Sequence, residues 1–155
     1  MLIRSYTPAD KNFCIDVFKS NMPQFFDEEE LPPFIEWLER QELGVPGHSG
    51  SMEDHYYVIE LQDKGIIGCG GIYVAKDEKE VRFSWGMIHA DYHKKGFGTA
   101  LYKFREQKMK EGWPEHSITL GTSQHTFAFY ERMGMKVINM IPKGYSEDLD
   151  RYDMK

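Results

Sequence analysis

The run of residues 93–99, which reads HKKGFGT, has the clearest chemical potential in the chain. Gly96 and Gly98 lack Cβ atoms, so a bound group can approach the backbone closely. The amphipathic pattern after them predicts a helix, whose first turn exposes about four unpaired N–H groups and a partial positive charge. With Lys94 and Lys95 alongside, the run predicts an anion site that suits a pyrophosphate. The alternative is a strand-to-helix turn that needs glycine only for its dihedral angles.

A second candidate is Tyr130, which lies in a short predicted helix over residues 124–133 that stops at Gly134. A tyrosine has an apolar ring that can pack in a core and a polar hydroxyl that can serve a site. Phe127 and Phe129 are its neighbours, and a core tyrosine on an amphipathic helix is the alternative interpretation. The residue types alone leave both interpretations open.

The composition is that of a folded enzyme-sized domain. With 155 residues, 41% hydrophobic and 28% charged, the chain predicts one domain over residues 1–155 and excludes a disordered or fibrous protein. The net charge of −6 argues against a nucleic-acid binder. The sequence predicts no membrane span and no export signal, so a cytoplasmic location is expected. Cys14 and Cys69 are expected as buried free thiols, and the histidines lack metal-ligand spacing.

The elements that must position these residues follow from the hydrophobic periodicity. In the predicted strand 80–88, the alternation of Val81, Phe83, Trp85 and Met87 indicates one buried face. The order β-α-α-β-β-β-α-β-α-β-β predicts an α/β fold with helices on both faces of the sheet. Helices are predicted over about 8–21, 31–41, 97–111 and 124–133, strands over 3–6, 56–61, 66–74, 80–88, 117–120, 136–141 and 152–154, and a mobile connection over 44–51.

Two sequence patterns together carry a family resemblance. The first is the run 93–98, preceded by IHADY over 88–92, and the second is FYERMGM over 129–135. Both resemble the GNAT (Gcn5-related) N-acetyltransferase superfamily, whose acetyl-CoA loop reads Arg/Gln-x-x-Gly-x-Gly/Ala and whose later helix reads Phe-Tyr-Glu-Lys-Leu-Gly-Phe. The chain departs from that pattern at His93. The resemblance covers the whole chain and implies a GNAT-like mixed, mostly antiparallel twisted sheet with splayed parallel strands 4 and 5.

The resemblance implies acetyl-CoA as the co-substrate, and the lack of metal-ligand spacing predicts no metal. The pantetheine would lie beside the end of the fourth strand, and the pyrophosphate on the backbone N–H groups of the glycine-containing loop. Ser123 stands where many relatives carry Asn. The implied cofactor-binding residues are Met87, Ile88, His89, His93, Lys94, Lys95, Gly96, Phe97, Gly98, Thr99 and Ser123.

The implied reaction is acetyl transfer to a primary amine by direct attack in a ternary complex. Tyr130 occupies the family's general-acid position, and the backbone N–H of Ile88 is a candidate oxyanion donor. Some relatives use a glutamate on the fourth strand as base, and here the nearest acid is Glu80. Glu80 is predicted as a catalytic residue acting through water, with a solvated strand end as the alternative.

The connection between the first two helices often lines the acceptor pocket in this family. Phe26 stands beside Glu28 and Glu29, within a stretch over 27–42 that holds seven acidic residues and one arginine. Aromatic rings beside carboxylates predict binding of a small cationic amine such as a polyamine. The alternative is that these acids only stabilise the start of the following helix.

Three functional classes remain open from the sequence. A small-molecule amine acetyltransferase is favoured, with a protein N-terminal or lysine acetyltransferase as the alternative that would take a peptide amine. A non-catalytic acetyl-CoA-binding module is the third. Exposed strand edges near the C-terminus also suggest a homodimer.

Overall fold

A seven-stranded mixed sheet forms the centre of the protein in a computed structural model, which describes residues 1–45, 51–75 and 78–155. Most of the predicted connection over 44–51 lies outside the described residues. The strands are β1 (Leu2–Ser5), β2 (Ser51–Leu61), β3 (Gly65–Ala75), β4 (Glu80–Ile88), β5 (Ser117–Thr122), β6 (Val137–Ser146) and β7 (Leu149–Met154). The helices are α1 (Lys11–Ser20), α2 (Leu31–Leu43), α3 (Phe97–Gly112) and α4 (Phe127–Arg132).

The strand order across the sheet is β1-β2-β3-β4-β5-β7-β6. Every neighbouring pair is antiparallel except β4 and β5, which run parallel and are joined through α3. This arrangement confirms the predicted fold class and element order. A parallel pair requires a long crossover connection, and α3 supplies it.

Each face of the sheet packs against its own helices, because side chains along a strand alternate between the two faces. On β2, Tyr56 and Val58 join the hydrophobic cluster of α1 and α2, whereas Tyr57 joins the cluster of α3 and α4. Cys14 of α1 and Cys69 of β3 are buried free thiols in the first cluster, as the sequence predicts. Helices therefore cover both faces, also as predicted.

The predicted single buried face of β4 is wrong, because a β-bulge interrupts the strand. The β3–β4 register changes between Cys69↔Met87 and Gly71↔Ser84, which leaves one extra residue in β4. Trp85, at the bulge, has a positive φ of 44°. Beyond it the side chains change sides: Trp85 and Met87 pack with the α1–α2 cluster, whereas Val81 and Phe83 pack with the α3–α4 cluster.

The helix predicted over 124–133 begins three residues later, at Phe127. The side-chain amide of Gln124 is engaged with the β6–β7 turn, where it donates to the Asp148 carbonyl at 2.8 Å and accepts from the Asp150 N–H at 2.9 Å. A distant turn thus holds this residue outside the helix. None of the helices in the described part of the chain is long and apolar enough to cross a membrane.

Candidate functional site

An opening between β4 and β5 is the main feature at the centre of the sheet. The two strands pair only at Glu80–Arg82 with Ser117–Thr119. Farther along, β4 continues to Ile88 beside β3, whereas β5 pairs with β7. The bulge lies just past the last β4–β5 pair, where a bulged strand bends and twists more strongly. We call the space between residues 83–88 and 120–122 the β4–β5 opening.

The N–H of Ile88 faces the β4–β5 opening. The next N–H along, that of His89, donates to the Ile67 carbonyl of β3 at 2.8 Å. Because successive N–H groups of a strand point to opposite edges, those of Met87 and His89 face β3 and that of Ile88 faces away from it. Of the three strand-end residues predicted to lie beside the pantetheine, Ile88 alone directs its N–H toward the opening.

The run that follows β4 leads directly into α3, with Gly96 at the point where the helix begins. Gly96 has a positive φ of 87°, a backbone conformation that glycine adopts without strain, and precedes the first residue of α3. The Ala100 N–H donates to the Gly96 carbonyl at 3.0 Å as the helix begins. The N–H groups of Phe97, Gly98 and Thr99 belong to the first turn, which has no helical acceptors for them. They form the predicted anion-binding end of α3.

The two lysines of this run are exposed, and their charges reach solvent beside the start of α3. Among the described residues, neither Lys94 nor Lys95 forms an ion pair; the Lys95 ammonium lies 5.4 Å from the centre of the Tyr92 ring. Lys94 has a positive φ of 59°. Unneutralised cations beside free N–H groups attract anions.

The side chains of His89 and His93 are used within the loop itself. The His93 Nε2 donates to the Ile88 carbonyl at 2.8 Å, an oxygen that also accepts from the Asn21 amide at 2.9 Å. The His89 Nδ1 accepts from the Asp91 N–H at 3.2 Å. Both imidazoles therefore shape the turn after β4, so that a contact with a bound anion falls to the backbone of the loop.

Tyr130 lies beside the start of α3. A side chain at Gly98 would meet the Phe129 ring at 3.5 Å, so α4 and the glycine-containing loop are in contact. The half-buried Tyr130 ring packs against Phe129 and Tyr102, with centroids 5.0 and 6.2 Å apart. Burial lowers the pKa of the Arg105 guanidinium on α3, and the Tyr130 phenol is the neighbour that most opposes this effect. The structure thus brings together the two patterns that lie far apart in the sequence.

Ser123 is buried and caps the turn into α4. Its Oγ accepts from the His125 N–H at 3.3 Å, and its carbonyl accepts from the Thr126 and Phe127 N–H groups at 3.1 Å each. The hydroxyls of Thr122 and Thr126 are hydrogen-bonded to each other. Local capping accounts for a small polar residue at this position.

Glu80 lies at the beginning of β4, eight residues before Ile88. Its carboxylate lies 3.6 Å from the Lys155 ammonium and 3.4 Å from the Arg82 guanidinium, and it accepts from the Thr119 hydroxyl at 3.5 Å. Because β4 and β5 are still paired at this level, Glu80 is at the closed end of the β4–β5 opening. The position favours a structural strand-end carboxylate over a base.

Phe25 crosses the outer end of the β4–β5 opening. Its ring contacts His93, which follows β4, and His125, which follows β5, edge to face with centroids 5.3 and 6.0 Å apart. The connection between α1 and α2 therefore borders the opening, where an acceptor would have to enter.

An aromatic wall lies on the α1–α2 side of the same opening, around the bulged Trp85. The Trp85 ring is 6.3 Å from Phe26, 5.2 Å from Phe34 and 6.5 Å from Phe18, centroid to centroid. The Tyr56 hydroxyl donates to the Trp85 carbonyl at 2.8 Å and holds the bulge. Phe26, predicted as an acceptor-binding residue, is part of this wall.

The acidic residues before α2 form a capping box. Asp27 accepts from the Glu29 N–H at 2.9 Å, and Glu30 accepts from the Asp27 N–H at 2.8 Å. Glu28 and Glu29 are exposed, whereas Glu30 is half-buried. Burial raises the pKa of Glu30 above its ordinary value. The helix-start interpretation thus accounts for the spacing of these acids, and Glu30 is the one held in a less polar environment.

Tyr145 is a site residue that the sequence interpretation missed. Burial raises its pKa to about 12, and the charges of Glu30, Asp153 and Tyr130 act in the same direction. A side chain at Gly121 would meet the Tyr145 hydroxyl at 2.6 Å, so a glycine on β5 lets this phenol approach the opening. Nothing local in the sequence marks Tyr145, but the Asp27-x-x-Glu30 spacing is a capping signal that could have singled out Glu30.

No group of three or more His, Cys, Asp or Glu side chains suited to a metal ion occurs among the residues that the structure describes. The polar groups that the structure places around the β4–β5 opening include the Ile88 N–H, the Tyr130 and Tyr145 phenols, and the imidazoles of His93 and His125. Such an arrangement can hold an anion at one end and a cation at the other.

The comparison with known families agrees with the geometry. A family model described as "Acetyltransferase (GNAT) domain" matches residues 52–137, which is more than half of the chain. No curated protein sequence matches this chain.

Similar solved structures share the fold at low sequence identity. A protein described as a GNAT-family acetyltransferase from Desulfovibrio desulfuricans is 19% identical, with a TM-score of 0.78 over 99% of this chain and 96% of that chain. An aminoglycoside 6'-N-acetyltransferase complexed with coenzyme A is 16% identical, with a TM-score of 0.73 over 99% and 95%. A variant of the spermidine N-acetyltransferase from Vibrio cholerae is 17% identical, with a TM-score of 0.71 over 99% and 93%.

The family match spans the bulged β4, the glycine-containing loop, α3 and the Tyr130 helix. These are the elements that surround the β4–β5 opening, and the whole-chain likeness to solved structures extends over the same sheet. The chain therefore belongs to the GNAT acetyltransferase family.

Proposed function

We propose that this acetyltransferase moves the acetyl group of acetyl-CoA to a primary amine, and that the acceptor is a small cationic amine. The observation that carries the proposal is the β4–β5 opening, with the Ile88 N–H facing it from β4. The free N–H groups of the α3 start lie at one end and the Trp85 aromatic wall at the other. A donor and an acceptor can then meet at the middle of the sheet.

The charge at the start of α3 suits the acyl donor, acetyl-CoA. The pyrophosphate of acetyl-CoA is a dianion, and the N–H groups of Phe97–Thr99 with two exposed lysines form a site of opposite charge. The pantetheine amide groups can pair with the edge of β4 that β5 has left, as a further strand would. This places the thioester carbonyl near the Ile88 N–H, which can stabilise the oxyanion as it forms.

The transfer itself is a direct attack within a ternary complex. The amine nitrogen forms a bond to the thioester carbon, the carbonyl electrons return, and the C–S bond breaks with its electron pair on sulfur. Tyr130, on the helix in contact with Gly98, donates its proton to that sulfur. The proton lost by the amine passes to solvent through the open end.

Glu30 and the aromatic wall form the end of the site that binds the amine acceptor. A half-buried carboxylate near Tyr145 can hold an ammonium, and the rings of Trp85 and Phe26 can face it by cation–π contact. Glu30 suits this role better than the exposed Glu28 and Glu29, since solvent screens their charges. Two of the similar solved structures are acetyltransferases of an aminoglycoside and of spermidine, which supports the choice of a cationic amine.

The test is an acetyl-CoA turnover assay against a panel of amines, followed by thiol release. We expect turnover with polyamines or aminoglycosides and little with neutral amines. Glu30→Gln keeps the capping geometry and should raise KM for the cationic acceptor about tenfold, whereas its matched control Glu29→Gln should leave KM unchanged. An equal effect of both variants, or of neither, would contradict the acceptor site.

The raised pKa of Glu30 adds a pH dependence. The carboxylate holds an ammonium only while ionised, and burial moves its ionisation above the ordinary 4.5. As the pH falls, the KM for a cationic amine should therefore rise. This rise should begin at a higher pH than it would for a glutamate with an ordinary pKa, and it should be absent in Glu30→Gln.

A further inference from the structure

Asn21 is a buried polar residue at the end of α1, only 4% exposed. Its side-chain nitrogen Nδ2 donates to the Val17 carbonyl at 2.8 Å, four residues back in the helix. The same nitrogen donates to the Ile88 carbonyl at 2.9 Å, which lies 67 residues along the chain. The first bond is local capping of a helix end. The second joins α1 to the last residue of β4.

Neither of these carbonyls depends on Asn21 for a partner. The Ser20 hydroxyl also donates to the Val17 carbonyl, at 2.7 Å, and the His93 Nε2 also donates to the Ile88 carbonyl, at 2.8 Å. Both acceptors would therefore stay bonded if an apolar side chain replaced the amide. Burying an amide costs desolvation that such a side chain avoids. The bond from Asn21 to Ile88 thus calls for a reason other than satisfying buried carbonyls.

Ile88 is the residue whose backbone orientation matters for the reaction. In an antiparallel pair the N–H and C=O groups of one residue point to the same edge of the strand, and those of Ile88 point away from β3. A backbone carbonyl has two lone pairs, and the donors from Asn21 and His93 use both of them. The residue is held from two sides, so that its N–H is the group left for a ligand.

Asn21 also holds the connection that borders the outer end of the β4–β5 opening. Its backbone carbonyl accepts from the N–H groups of Phe25 and Phe26 at 2.9 and 3.4 Å. The Phe25 ring in turn contacts the His93 ring, with centroids 5.3 Å apart. Asn21, Ile88, His93 and Phe25 therefore form a closed circuit of contacts. The circuit links the α1–α2 connection, the end of β4 and the glycine-containing loop.

We propose that Asn21 is a positioning residue for the acetyl transfer, which fixes the Ile88 carbonyl together with His93 and so keeps the Ile88 N–H aimed at the thioester oxygen. The inference rests on the proposed function and adds a residue to it. As the amine attacks, the thioester oxygen gains negative charge, and a donor already in place stabilises it without reorganisation. A hydrogen bond weakens steeply when its angle is lost, so a fixed donor stabilises the oxyanion more than a free one.

Two substitutions separate the bond to Ile88 from the local cap. Asn21→Ser retains a hydroxyl that can bond the Val17 carbonyl but is too short to reach Ile88. Asn21→Leu has a similar volume and no donor. Both should lower kcat about tenfold, whereas KM for acetyl-CoA and for the amine should stay within about threefold, because the α3 start and Glu30 keep their own contacts. Asp10→Asn loses an ion pair at the other end of α1 and is the control for stability, with kcat unchanged.

Infrared spectroscopy of bound acetyl-CoA, isotopically labelled at its carbonyl carbon and measured without amine, reads the donor directly. In the wild type the carbonyl stretch should lie below that of free acetyl-CoA, because a hydrogen bond polarises the carbonyl. In Asn21→Ser and Asn21→Leu it should move back toward the free value, and in Asp10→Asn it should not move.

The outcomes separate the inference from the proposed function. Full kcat in both Asn21 variants, or a wild-type stretch in both, would overturn the inference and leave the proposed function intact. A loss of kcat in Asp10→Asn as large as in the Asn21 variants would do the same, since it would assign the loss to stability. A wild type whose bound carbonyl absorbs like the free one, or which acetylates no amine, would instead overturn the proposed function itself.

Discussion

At the scale of single residues, the chemistry depends on which polar groups the fold leaves available. The imidazoles of His89 and His93 are used in their own loop, and the Ser123 hydroxyl accepts a hydrogen bond within the turn before α4. Tyr130, by contrast, is half-buried on α4, packed against Phe129 beside the start of α3. Among the residues proposed from the sequence, Tyr130 is therefore the one whose surroundings fit proton donation best.

Tyr130→Phe should reduce kcat about 100-fold or more, because the leaving thiolate loses its proton donor. The affinity for CoA, measured by calorimetry, should stay within about threefold, since the proposed cofactor contacts lie on backbone N–H groups. The matched control is Tyr152→Phe, which should leave kcat unchanged. It removes the hydroxyl of a β7 tyrosine whose ring stacks on Phe127 of α4, with centroids 4.5 Å apart. A Tyr130→Phe enzyme with full turnover would remove Tyr130 from the mechanism.

At the scale of elements, two helix starts decide how the site is built. The start of α3 depends on Gly96 in a left-handed conformation, and the approach to α1 is fixed by an ion pair that reaches back to β1. The first shapes the proposed cofactor end of the β4–β5 opening, and the second anchors the helix whose Phe18 packs against Trp85.

Gly96→Ala should weaken CoA binding and lower the free energy of unfolding by about 1–2 kcal/mol. The φ of 87° at this position places the cost in the backbone, because the surroundings leave room for a methyl group. Gly112→Ala, also with no neighbour within contact distance and with no positive φ, is the control and should preserve CoA affinity. Calorimetry with CoA and urea unfolding provide the two measurements; unchanged affinity in Gly96→Ala would contradict the loop assignment.

Asp10, just before α1, makes the stability of the fold depend on pH. Two hydrogen bonds from the Arg4 guanidinium, at 2.8 and 2.9 Å, lower the pKa of this buried carboxyl below its ordinary 3.8, and the Thr7 N–H adds to the effect. The stabilisation is therefore complete above that ordinary value and is lost as the pH falls through the lower pKa of the folded state. Asp10→Asn should cost about 1–3 kcal/mol of unfolding free energy at neutral pH. The difference from the wild type should shrink in acid, and a constant difference across pH would contradict the ion-pair explanation.

At the scale of the whole molecule, one edge of the sheet is exposed and apolar. The sheet ends at β6, all of whose residues from Val137 to Gly144 are exposed. Ile138 is 62% and Met140 46% exposed, so an apolar strip runs along an unpaired edge. Such an edge is a site where another strand can add.

We expect this edge to join two copies of the chain, as the sequence suggested. Sedimentation velocity should show a dimer for the wild type, and the double variant Ile138→Lys, Met140→Lys should be monomeric with an unchanged melting temperature, because both side chains are already exposed. Leu43→Lys, at an exposed leucine on α2, is the control and should remain dimeric. A monomeric wild type at assay concentration would contradict the prediction.

The sequence by itself determined the element order and the glycine-containing loop, because these features depend on local periodicity and backbone freedom. Only the family resemblance implied that the loop and the Tyr130 helix belong to one site, and the structure brings them into contact. The bulge at Trp85 could not be predicted, since one extra residue in β4 is defined only against its partner β3. The start of α4 could not be predicted either, because the distant β6–β7 turn binds the Gln124 amide and holds this residue outside the helix.

The tertiary structure alone decided which charges the site contains. Glu80 fits the expected base by residue type, but strand pairing places it at the closed end of the opening. Burial and the charge of Glu30 raise the pKa of Tyr145, which lies far along the chain, and burial lowers the pKa of Arg105. Burial and long-range neighbours set the electrostatics of a group, and no local pattern records either of them.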